Sequence, residues 1–168
     1  MAVLLKSLLP ALAWLIPTAA TGSGLPVVKE SALGLAARAC VGLPTSPAEA
    51  RLHLTRQGWG QGSFNSPDGT RIKEAEEQLE IYSRDGLLLL MNPSKPDCLV
   101  TAKVKRSLKP ERLLEIVQAA LGRAPLSSTP GTYMWSFDNG QALMARLGRN
   151  GEDAHVQIVV TPSNQKKN

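Results

Sequence analysis

Cysteine, histidine and aromatic side chains are all scarce in this chain of 168 residues. Two cysteines are too few for a disulfide-dense scaffold or an all-cysteine zinc site. Two histidines leave little material for metal chemistry. The signature spacings of catalysis are missing too: there is no G-x-S-x-G, no H-E-x-x-H and no P-loop lysine motif. No catalytic, cofactor-binding or metal-ligating residue is therefore assigned. What remains is ordinary globular composition, 43% hydrophobic and 20% charged, which excludes a collagen-like or largely disordered chain.

The longest apolar stretch stands at the start. Lys6 precedes an apolar run from Ser7 to Ile16 broken by Pro10, and small residues follow from Pro17 to Gly22. That order is the pattern of a secretory signal peptide, and the run is about half the length of a membrane span. We expect residues 1–20 to be cleaved, with the cut between Ala20 and Gly22, and the mature chain to be periplasmic or secreted. A single α+β domain over 21–162 and a polar tail over 163–168 would remain, carrying a net charge of +4 once Lys6 is removed from the total of +5. Export places Cys40 and Cys98 in an oxidising compartment, so a disulfide between them is expected.

The patterning predicts helices and short strands in the order α-α-β-β-β-α-β-β-β. Val28, Ala32, Leu35, Ala36 and Ala39 recur at helical spacing, giving a helix over about 26–39. Ser46-Pro47-Ala48-Glu49 reads as a capping box opening a second helix to about Gln57, closed by Gly58. A Gly-rich loop follows, with a short strand near Ser63–Phe64. From Gln78 the period becomes two, and Ser83 to Gly86 separates this strand from Leu87–Met91. Cys98 opens a strand whose Val100, Ala102 and Val104 face one way. A third helix carries Leu113, Ile116, Val117, Ala120 and Leu121 and stops at Gly122. Residues 124–131 read as a linker. Asn139-Gly140 predicts a two-residue hairpin loop, Gly148–Asp153 another turn, and Ala154–Thr161 the last strand. Each half is a helix followed by a three-strand meander, which suggests helices on one face of an antiparallel sheet, or two small sheets side by side.

The helix ending Ala39-Cys40, the capped helix ending Gly58-Trp59, and Asp97-Cys98 opening a strand resemble small exported two-cysteine proteins of unknown function in Gram-negative bacteria. The resemblance spans about 28–105 and implies an address in the bacterial envelope. The tandem helix and sheet order is also similar to β-lactamase-inhibitor proteins, which bind an enzyme on such a platform, but no residue can be carried over.

Three surfaces compete for a role. A two-residue Asn139-Gly140 loop would set Phe137 opposite Ala142, Trp135 opposite Met144 and Tyr133 opposite Arg146. Tyr133, Trp135, Phe137 and Arg146 would then form either part of the core or an aromatic, interface-like patch for a protein partner. Lys103, Lys105, Arg106, Lys109 and Arg112 form a basic cluster that is either a solvated face or a contact for anionic lipid or an acidic partner. His53 and His155 could serve an envelope hydrolase, although structural roles suit both positions. Export argues against nucleic acid. A non-enzymatic exported protein that binds a partner through its sheet face is the favoured reading.

Overall fold

The computed structural model describes residues 25–161 apart from 64, 66–69, 72–78, 93, 95 and 96. The leader expected over residues 1–20 and the tail at 163–168 lie outside the described residues. The helices are α1 (Glu30–Val41), α2 (Pro47–Arg56) and α3 (Pro110–Leu121). The strands are β1 (Gly60–Gln61), β2 (Glu80–Arg84), β3 (Leu87–Met91), β4 (Cys98–Val104), β5 (Ser127–Thr129), β6 (Thr132–Ser136), β7 (Ala142–Asn150) and β8 (Asp153–Thr161). The class is α+β, as the patterning predicts.

The eight strands of the described residues form one antiparallel sheet in the order β1-β2-β3-β4-β8-β7-β6-β5. The two expected meanders are therefore fused rather than set side by side. The seam is β4 against β8, paired from Cys98↔Val160 to Val104↔Ala154. Both strands bury alternate residues over their length, so each can bury one face while completing the other's ladder.

Burial selects the inner face. Tyr82, Leu89, Val100, Ile158, Ala145 and Tyr133 form one cross-strand row, all buried. Glu80, Met91, Cys98, Val160, Leu143 and Trp135 form the next. Leu33, Ala36, Ala37 and Cys40 of α1, Leu54 of α2 and Leu113 and Val117 of α3 join these rows in one core. Small residues let α1 and α3 approach closely: a Cβ added at Gly34 would stand 3.2 Å from the Ala120 Cβ. The Cys40–Cys98 disulfide, with Cα atoms 5.5 Å apart, ties the last turn of α1 to the start of β4, as expected from the sequence.

Several local expectations are corrected. α1 begins at Glu30, not Pro26, because Val27 and Val28 run extended beside Lys103, with Val28 N–H donating to its carbonyl at 2.9 Å. Proline does open α2, but Ser46 makes no side-chain capping bond, so only the Pro47 part of that signal is realised. A short strand lies at Gly60–Gln61; the one expected near Ser63–Phe64 falls partly outside the described residues, which do not include Phe64. The 124–131 linker holds edge strand β5. β7 continues through Gly148 to Asn150, leaving Gly151-Glu152 as the turn to β8.

Candidate functional site

The hairpin of β6 and β7 decides what the sheet offers to solvent. Its loop holds three residues, not two: Phe137 N–H donates to the Gln141 carbonyl at 3.0 Å, and Gly140 N–H donates to the Phe137 carbonyl at 2.8 Å. Gly140 takes φ +78°, while Asn139 stays out of the left-handed region. This is a type I turn completed by a left-handed glycine, the usual three-residue solution. Asn139 contributes through its side chain, accepting from the Gln141 N–H at 3.0 Å.

One extra loop residue moves the register by one and exchanges the partners. Trp135 faces Leu143, Tyr133 faces Ala145 and Thr132 faces Arg146. The expected pairs Phe137–Ala142, Trp135–Met144 and Tyr133–Arg146 do not form. Tyr133 and Trp135 are 3% and 1% exposed, with ring centroids 6.4 Å apart in the core. Phe137 packs at the core's edge under the Arg123 guanidinium, 5.0 Å from the ring centroid. Arg146 is exposed on the opposite face of the sheet. The four residues therefore do not form one patch, and the core alternative is the one realised for the two larger rings.

The shifted register exposes something the predicted one hides. Between the buried rows, the outward side chains Ile81, Leu90, Leu99, Val159, Met144 and Met134 align across six neighbouring strands. Each is half-buried, and the helices pack against the other face. A one-sided antiparallel sheet ordinarily turns polar residues outward. This row, about 24 Å long at five interstrand spacings, is apolar throughout. Its neighbouring row, Ser83, Leu88, Thr101, Gln157, Arg146 and Thr132, is mostly polar. Farther along β4 and β8, Lys103 pairs with Asp153 at 2.7 Å, beside His155. Lys103 holds the Asp153 carboxyl below its usual range. Sequence reasoning missed the row because strand-by-strand alternation does not reveal which residues align across strands.

A second cluster sits at the far edge. Glu80 is buried; its Oε1 accepts from Arg51 Nε at 2.7 Å and from Arg51 Nη2, and its Oε2 accepts from the Tyr82 hydroxyl at 2.7 Å. Burial pushes the Glu80 carboxyl up, but the bonds from Arg51 and Tyr82 outweigh it and hold the group below its ordinary value. Burial, reinforced by Glu80, pushes the Tyr82 phenol far up. Both carboxylate oxygens are satisfied, so the cluster clamps α2 to β2 rather than presenting a reactive group. It borders a small polar cleft lined by Arg51, Gln61, Gly62, Arg71, Glu80 and Ile81.

The sign of the pH dependence follows. A depressed carboxyl adds stability that is present above its unfolded value, about 4.3, and is lost as pH falls through the folded value. A raised phenol adds stability below about 10 that is lost as pH rises through the folded value. In urea titrations we expect Glu80→Gln to flatten the acid limb and Tyr82→Phe the alkaline limb. An acid limb unchanged by Glu80→Gln would show that the clamp does not set it.

The histidines are placed apart. His53 Nε2 lies 2.9 Å from Nε2 of Gln57, the residue that caps the same helix. His155 makes no side-chain hydrogen bond among the described residues. Neither bonds a hydroxyl or a carboxylate there. Among the described residues no group of three His, Cys, Asp or Glu could hold a metal ion, and no described helix is long and apolar enough to cross a membrane. Compared with known proteins, the chain matches no family model, no curated protein and no solved structure.

Proposed function

We propose that this is an exported, non-enzymatic binding protein, and that the sheet face opposite the described helices takes up a partner protein. One observation carries the reading: the apolar row Ile81, Leu90, Leu99, Val159, Met144 and Met134, left uncovered by every described helix. An apolar band on an otherwise polar face is the composition of an interaction site. The two methionines, paired across β6 and β7, give it an adaptable end.

Charge narrows the partner. Beside the row the face carries Arg146 and His155, while its acid, Asp153, is occupied by Lys103. The whole chain is basic, with net charge +5. A second copy would bring like charge to like charge. The complementary occupant is a protein segment with an apolar ridge bordered by Asp or Glu. The buried disulfide supports the exported setting, since such bonds persist in oxidising compartments.

A photo-crosslinking residue at position 144, installed in the full chain and irradiated in intact cells, tests this. We expect one discrete adduct with a different protein. Its crosslinked peptide should be apolar with flanking acids, and Leu99→Asp should abolish it. An adduct with a second copy, with lipid, or with no defined protein would overturn the reading.

A further inference from the structure

We propose that the end of the molecule around the β4–α3 turn is a docking surface for an anionic lipid bilayer. The turn is closed by Leu108 N–H donating to the Lys105 carbonyl at 2.9 Å. Lys105 and Arg106 project from it, and Lys109 immediately precedes α3. Arg149 reaches the same turn from β7, its Nη2 donating to the Leu108 carbonyl at 3.1 Å. All four side chains are exposed, and none enters an ion pair among the described residues.

The structure thus divides the basic cluster read from the sequence. Lys103 is engaged by Asp153, and Arg112 by Glu30 and Glu115. The others keep their charge available. Lys29, exposed beside Val28, adds a fifth cation, against the exposed acids Glu111 and Glu152 and the pair Glu30 and Glu115 that share Arg112.

A second observation converges on the same end. The described chain begins beside this end: Val27 bridges Lys103 and is 49% exposed. Val27 lies eleven positions beyond Ile16, the end of the apolar N-terminal run. That stretch spans at most about 40 Å when fully extended. Until the expected cleavage removes residues 1–20, a bilayer holding that run therefore lies within reach of the cations, and Val27 offers an apolar contact among them. A juxtamembrane cluster of this size is attracted to anionic headgroups, each cation near the surface adding roughly fivefold to partitioning.

Co-sedimentation of the full chain with phosphatidylcholine vesicles, with and without phosphatidylglycerol, tests the proposal. Binding through the N-terminal run appears with both, so the readout is the ratio between them. We expect a preference for phosphatidylglycerol that high salt removes. Lys105→Gln with Arg106→Gln should reduce the ratio on the order of 30-fold. Arg38→Gln with Arg56→Gln, which removes the same charge from exposed positions on α1 and α2, should leave it within about threefold. Equal binding of wild type to both vesicle types, or equal losses in the two double variants, would overturn the proposal.

Discussion

Replacing Cys40 and Cys98 together by alanine is expected to cost about 4 kcal/mol of stability. The bond closes a loop with a sequence separation of 58. For a loop of that length the entropy withdrawn from the unfolded chain amounts to about 4 kcal/mol. Both cysteines lie in the core, at 0% and 1% exposure, so two small voids add to the loss. The bond also joins α1 to the row that runs from Glu80 to Trp135. Its removal should loosen helix and sheet together. Urea unfolding of the oxidised chain against the double variant measures the difference. A change below about 1 kcal/mol would mean that the unfolded chain is already constrained around this loop.

Export makes the sequence argument for this bond short, because with two cysteines there is only one intramolecular pairing. Helices were legible for a similar reason. Apolar residues at three- and four-residue spacing, with Pro47, Pro110 and Gly122 at the boundaries, are local signals. Gly122 takes φ +67°, the left-handed stop that its place after Leu121 implies.

Joining the halves was not legible. Nothing within Cys98–Val104 or Asp153–Thr161 names the other as neighbour. The pairing is a long-range choice made by matching lengths and alternation. Phase was harder still on β2. Leu79 and Ile81 set the apolar phase in the sequence, yet Glu80 and Tyr82 point into the core. They can do so because Arg51, far off in the chain on α2, completes the hydrogen bonding. Ile81 is turned outward as a result, where it begins the apolar row. The buried polar clamp and the exposed apolar band are consequences of one strand phase, and both depend on a partner that periodicity cannot see.

Trp135→Ala should destabilise the fold by about 3–5 kcal/mol, the range for emptying a large aromatic site in a core. Trp135 is among the largest fully buried side chains, it packs against Tyr133, and its Nε1–H donates to the Arg123 carbonyl at 3.1 Å. Trp135→Phe keeps most of the packing but leaves that carbonyl without its donor, and should cost about 1–3 kcal/mol. Met144→Ala, on the outward row, should cost about 1 kcal/mol or less. Far-ultraviolet circular dichroism in urea measures all three without relying on the removed fluorophore. The contrast is a direct test of the hairpin register. With a two-residue Asn139-Gly140 loop, Trp135 would stand opposite Met144 on the same face, and the two substitutions would tend to cost alike. With the three-residue loop they lie on opposite faces, one holding the core together and the other remaining free for a partner. A small cost at Trp135 with a large one at Met144 would reverse the two faces, and with them the surface assigned to binding.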